Sequence, residues 1–299
     1  MPPSEVPNFP TIAGFYSQLA GVLAGFAFAG LIALIAAQLT RDSVASRTLY
    51  GYLPLIAAFA GLIATSLNYA IIAGEAPATN RLTILEIVAG VGFAMAFLML
   101  LHAILLLLGG LRKDSPRQGQ VLARTVNVLR IYLLYGVCPI VGLLIYGAIK
   151  DFITIKYGTG TTLRGLDYAV FVLIAVYVGW TIVIRRAFAP REIALGRSAT
   201  VLSVCAIAIA LLTLAASTVV LSFTSRLTAY PDVWPLLSFG VYIAFAMTFA
   251  YSIGRMNTHS AAAEISVDAQ DLPLVDLPEP VEASPDSSVH DDDLQDRAL

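Results

Sequence analysis

A chain of 299 residues that is 58% hydrophobic and only 13% charged, with a mean hydropathy of +0.79, lies far from the roughly 25% charged residues of a soluble domain. That composition excludes an ordinary soluble enzyme and a nucleic-acid-binding surface, and points to a protein whose partner is the lipid bilayer. The net charge of −2 conceals two unlike segments: residues 1–255 carry 17 Lys/Arg against 9 Asp/Glu, and residues 256–299 carry one against 11.

Residues 1–11 hold no basic stretch, and the apolar run behind them exceeds the about 7–15 residues of a signal-peptide core. They read as a short external segment leading into a retained first span. Crossing the hydrocarbon takes roughly 20 apolar residues as a helix, because lipid offers no partner for unpaired backbone groups. Seven segments qualify, at about 12–39, 50–74, 82–110, 127–149, 167–188, 199–222 and 233–254. The expected fold is thus an all-α bundle of seven transmembrane helices over 12–255.

The first span is rich in small residues. Every fourth position from Ala13 is small: Ala13, Ser17, Gly21, Gly25, Ala29, Ala33 and Ala37. In lipid such a ridge lets two backbones approach closely, as in GxxxG contacts, and Gly21-Val-Leu-Ala-Gly25 is a literal match. The ridge is expected to pack inside the bundle, with Ala57, Gly61 and Thr65 of span 2 as the candidate partner; a homo-oligomer interface is the alternative.

Polar residues within spans are few, so each is informative. Gln18, Asn68 and Glu86 fall in one half of spans 1, 2 and 3, and His102 in the other half of span 3. Asn68 and Gln18 suit interhelical hydrogen bonds, Glu86 suits interfacial water, and His102 suits a hydrogen-bonded structural role or proton relay. Arg130 sits a few residues into span 4, where its long side chain can snorkel. Pro139, in Gly136-Val-Cys-Pro-Ile-Val-Gly142, is expected to kink that span or free a carbonyl. The connection 150–166, KDFITIKYGTGTTLRGL, alternates β-branched and aromatic residues around Gly158-Thr159-Gly160, the pattern of a short hairpin. Cys138 and Cys205 lie in apolar runs and read as small buried hydrophobes.

The loops after spans 1, 3, 5 and 7 hold 11 basic residues, and the opposite side holds five. The positive-inside rule therefore puts the N-terminus outside and the C-terminus in the cytoplasm. Trp234, Tyr16, Tyr50, Tyr52 and Tyr168 lie near span ends, as interfacial anchors do. Residues 256–299, rich in Pro, Ser and acidic residues, are predicted to be a disordered acidic tail. The tail is a candidate ligand for a protein partner or for the Arg-rich loops.

The spacings needed for familiar chemistry are missing. HExxH, Walker A and nucleophile-elbow patterns do not occur, and Asp291-Asp-Asp-Leu-Gln-Asp296 lies in the tail, where nothing would fix its carboxylates. Span 7 has no lysine for a retinal Schiff base, and a lone span histidine cannot supply paired haem ligands. A parallel-repeat sugar transporter would carry matched prolines in both halves, which spans 5 and 6 lack. No catalytic, cofactor or metal site is therefore expected. A Lys-to-Arg ratio of 3 to 15 fits a GC-rich bacterial genome. The expected function is that of a non-enzymatic interaction or regulatory module in the plasma membrane. The alternative is a transporter or channel for a small solute, with Gln18, Asn68, Glu86 and His102 lining its pathway.

Overall fold

The computed structural model describes residues 9–39, 51–75, 80–111, 116–157, 164–187, 192–222 and 233–254. Its helices are α1 (Phe9–Leu39), α2 (Tyr52–Ala73), α3 (Asn80–Leu111), α4 (Pro116–Tyr132), α5 (Cys138–Tyr157), α6 (Arg164–Ala187), α7 (Glu192–Ser222) and α8 (Val233–Gly254). A π-helical turn, Leu133–Val137, joins α4 to α5. There is no strand among the described residues.

Among the described residues six stretches are long and apolar enough to cross a membrane: Pro10–Ala36, Tyr52–Ala73, Leu82–Leu108, Arg124–Thr154, Ser198–Val219 and Trp234–Gly254. The fifth of the seven expected spans corresponds to α6, whose apolar part, Tyr168–Ile184, is shorter. The segment 256–299 lies outside the described residues.

Helix α3 is the axis of the bundle. Its most apolar window is 67% buried, against 17% for that of α1, because α2, α4, α5, α7 and α8 all pack on it. Small residues make this possible: Ala89, Ala94, Ala96 and Ala103 are almost fully buried on α3. A Cβ added at Gly61 of α2 would stand 2.8 Å from the Ala96 Cβ and 3.9 Å from that of Ala210 on α7. Three backbones thus meet at a point where only hydrogen fits.

Side-chain pairings fix the direction of each helix. Ser17 meets Ser66 and Gly30 meets Leu55, so α1 and α2 are antiparallel. Gly61 sits beside Ala96 and Ala210, and Gly92 beside Thr65 and Thr213; α2 and α7 therefore run together, against α3. Arg130 bonds the Gly254 carbonyl and Cys138 meets Tyr242, which sets α8 against α4 and α5. Trp180 reaches Met247 and Gly254 touches Ile184, so α6 follows α8.

Two expectations from the sequence are corrected. Residues 150–157 continue α5 and 164–166 open α6, so the predicted hairpin is not formed there; Gly158–Gly160 lie outside the described residues. Ile145, Ile149, Phe152 and Ile153 are buried at helical spacing while Lys150 and Asp151 are exposed, and this stripe against the bundle overrides local β propensity. The small-residue ridge of α1 is also divided. Ala13 is buried and Ser17 half-buried, but Gly21, Gly25, Ala29 and Ala33 are exposed, while the side chain of Ala37 lies outside the described residues. The face that packs is Ala13, Ser17, Ala20, Ala24, Ala27, Leu31 and Leu34, spaced alternately by four and three. An i+4 row turns about 40° per step around an α-helix, so it leaves a partner lying nearly along it, whereas an alternating 4–3 row stays on it. The partner is the Leu55, Phe59, Ser66 and Tyr69 side of α2, not the Gly61 and Thr65 side.

Around Pro139 the backbone solves a specific deficit. The Cys138 N–H bonds the Leu133 carbonyl in the i+5 register of the π turn. In that register the next donor would be the N–H of Pro139, which does not exist, so the Leu134 carbonyl loses its partner. Tyr177 of α6 supplies one, its hydroxyl donating to Leu134 O at 3.0 Å. Tyr242 of α8 donates to Cys138 O at 2.5 Å, and Gly142 lets its ring approach, since a Cβ there would stand 3.4 Å from Tyr242 Cε1.

Candidate polar site of the helix bundle

The four polar residues singled out from the sequence differ in burial. Gln18 is exposed on α1, whereas Asn68 and His102 are fully buried and Glu86 is half-buried.

At the end of the bundle where α2 finishes and α3 begins, α1 is tied to α2 by a reciprocal pair. Ser17 Oγ donates to Ser66 O and Ser66 Oγ donates to Ser17 O, both at 2.9 Å. Gly21 lies against Ser66 Oγ, 3.7 Å from its ideal Cβ position. Next to Ser17 in the chain, Tyr16 stacks on Tyr69 with centroids 5.3 Å apart, and Phe93 meets Tyr69 edge-on at 6.5 Å. The Glu86 carboxyl lies within electrostatic range of Tyr69 and Asp151.

Deeper in, α2, α3 and α7 bring hydroxyls together over Gly92. An ideal Cβ there would be 3.3 Å from both Thr65 Oγ1 and Thr213 Oγ1, so the two oxygens share the space that a side chain at residue 92 would fill. One turn further along the same faces come Asn68 on α2 and Ser217 on α7, each 1% exposed. Their level follows from the parallel register of Gly61 with Ala210 and Thr65 with Thr213. Thr213 and Ser217 donate to Ala210 O and Thr213 O, at 2.8 and 2.9 Å, leaving their oxygen lone pairs free to accept. Neither Asn68 Oδ1 nor Asn68 Nδ2 has a hydrogen-bond partner among the described residues, and Glu86 Oε2 is buried without one too.

Beyond this cluster the core turns apolar. Leu62, Met95, Leu98 and Met99 are at most 2% exposed and occupy the levels between Gly92 and His102, roughly 15 Å of helix. A second polar group lies past them. His102 Nε2 is 3.4 Å from Ser252 Oγ, Ser252 Oγ is 3.2 Å from Ser198 Oγ, and Phe249 meets the imidazole edge-on at 5.6 Å. His102 Nδ1 has no hydrogen-bond partner among the described residues. Close by along α8, buried Arg130 donates to the Gly254 carbonyl at 2.9 Å.

Comparison with known families, with curated proteins and with solved structures finds no match for this chain. Its chemistry has to be read from these two polar groups and the uncovered face of α1. Among the described residues no group of three His, Cys, Asp or Glu side chains is placed to hold a metal. Cys138 is buried and Cys205 exposed, both as free thiols.

From the sequence, Thr65 stands out only as a packing position, and Thr213, Ser217, Ser252 and Ser198 not at all. Spaced by three or four within apolar helices, Thr65/Asn68 and Thr213/Ser217 carry a recognisable local signal. That the two pairs face each other is set by the parallel register of α2 and α7.

Proposed function

We propose that the chain is a seven-pass membrane protein, with its N-terminus outside and its C-terminus in the cytoplasm, that acts as a non-enzymatic interaction module and self-associates through α1. One observation carries this reading. Helix α1 packs chiefly on α2 and leaves its opposite side uncovered, including Gln18, Val22, Gly25, Ala29 and Ala33, with nothing within 4 Å of the position a Gly25 Cβ would take. A glutamine amide on a lipid-facing surface is costly. In a second copy the same stripe offers the reciprocal amide and a small-residue surface for close approach, an interhelical bond of about 1–2 kcal/mol in model helices. The acidic segment 256–299 adds a cytoplasmic ligand for a basic partner, on the strength of its charge.

The solute-pathway reading is less well supported, since Gln18 stands away from the other three residues and the apolar levels separate Asn68 and Glu86 from His102. Self-association is tested by resonance energy transfer between donor- and acceptor-labelled copies in proteoliposomes, comparing wild type with Gln18→Leu and Gly25→Leu. Gln18 is exposed and a Cβ at Gly25 meets nothing within 4 Å, so the variants are expected to stay folded and lose most of the transfer. Wild-type transfer no higher than that of a diluted, non-associating control would refute the proposal.

A further inference from the structure

We infer that Thr65, Asn68, Thr213 and Ser217 form an internal hydration site, in which water bridges the Asn68 amide to the hydroxyls of α2 and α7. The inference is independent of self-association through α1. Asn68 is 1% exposed, and its donor and its acceptor are both unmatched by protein atoms among the described residues. A buried amide without partners is strongly disfavoured in an apolar interior, so the ligand must accept from Nδ2 and donate to Oδ1. A cation would satisfy the oxygen and leave the N–H unmet; a molecule that is both donor and acceptor satisfies both, and water is the smallest.

The surroundings suit such a ligand. Thr213 and Ser217 have committed their protons to backbone carbonyls and present lone pairs only. Gly92 lets the Thr65 and Thr213 hydroxyls converge on one place of α3, since an ideal Cβ there would stand 3.3 Å from both oxygens. A water there needs two to four polar partners, and this cluster offers them.

Polar groups continue from the site toward the Glu86 end of the bundle. Glu86 Oε2 is a further buried oxygen without a partner, about one turn of α3 from Gly90, and an ideal Cβ at Gly90 would be 3.9 Å from the Tyr69 hydroxyl. On the other side Leu62, Met95, Leu98 and Met99 close the path before His102. The site therefore has dry packing on its His102 side and polar groups, the Tyr69 hydroxyl and Glu86 Oε2, on the other.

The test uses the full-length protein in detergent micelles. The chain has five asparagines, at 8, 68, 80, 127 and 257, so selective ¹⁵N-Asn labelling gives a sparse set of side-chain amide signals, and Asn68→Leu identifies that of Asn68. A cross-peak between the Asn68 amide protons and water is expected. If the variant fails to fold, substitution of the other four asparagines assigns the signal by elimination. The second measurement is the thermal midpoint of Asn68→Leu. A hydrated, fully bonded amide predicts a midpoint lower by several degrees, whereas a dry, unpaired amide predicts an unchanged or higher one, because the leucine removes an unsatisfied group at similar volume. An Asn68 amide with no water cross-peak in folded wild type, or a variant at least as stable as wild type, overturns the inference.

Discussion

Replacing Tyr177 with phenylalanine removes a single oxygen atom from a ring that is 2% exposed, and with it the hydrogen bond to Leu134 O. Leu134 is itself 1% exposed, and the π register denies its carbonyl a backbone donor at Pro139. The carbonyl left without this partner should cost about 1–3 kcal/mol, which for a domain of this size lowers the midpoint by about 2–4 °C for each kcal/mol. The chain carries its own reporter, because buried Cys138 lies beside the π turn and becomes reactive toward a thiol-sensitive dye on unfolding. Exposed Cys205 is first replaced by alanine so that it does not mask the transition. The decisive comparison is a double-mutant cycle with Pro139→Ala. Alanine restores an N–H, the Leu134 carbonyl regains a backbone partner, and Tyr177→Phe should then cost markedly less. An equal cost in both backgrounds, or none in either, would refute the link between the π turn, the proline and the tyrosine.

Glycine positions give a second contrast. Gly61→Ala forces a Cβ to within 2.8 Å of Ala96 Cβ and should destabilise by about 1–3 kcal/mol; Gly25→Ala meets nothing and should stay within about 0.5 kcal/mol of wild type, both read by the same thiol assay. Ser17→Ala and Ser66→Ala each remove one hydroxyl-to-carbonyl bond and should each cost about 0.6 kcal/mol and less than about 1.7; no loss in either variant would mean these bonds are replaced by others of equal worth. Loss of energy transfer in Gln18→Leu and Gly25→Leu, and the water contact of Asn68, complete the set.

The small-residue row of α1 shows where reading along the chain is informative and where it stops. The row exists, and it predicts close packing somewhere. Which side packs depends on the crossing geometry of a neighbour, and α2 meets α1 along an alternating 4–3 stripe that shares only Ala13 and Ser17 with that row. The connection 150–166 makes the same point for strand propensity. Its alternation is real, but Ile149, Phe152 and Ile153 find burial as a helix, and packing outweighs a local preference worth at most about 1 kcal/mol.

Composition and apolar run length by themselves determined that the chain is helical and membrane-suited, because lipid leaves the backbone few ways to satisfy its own polar groups. Pro139 likewise marked the place where a helical carbonyl would go unpaired. Only the tertiary structure decided who answers these demands: Tyr177 comes from 43 residues away and Tyr242 from 104. The same holds for the polar cluster, since Thr65 and Thr213 face one another only because α2 and α7 run side by side past Gly92. Sequence sets which polar groups must find partners; the register of distant helices sets which partners are within reach.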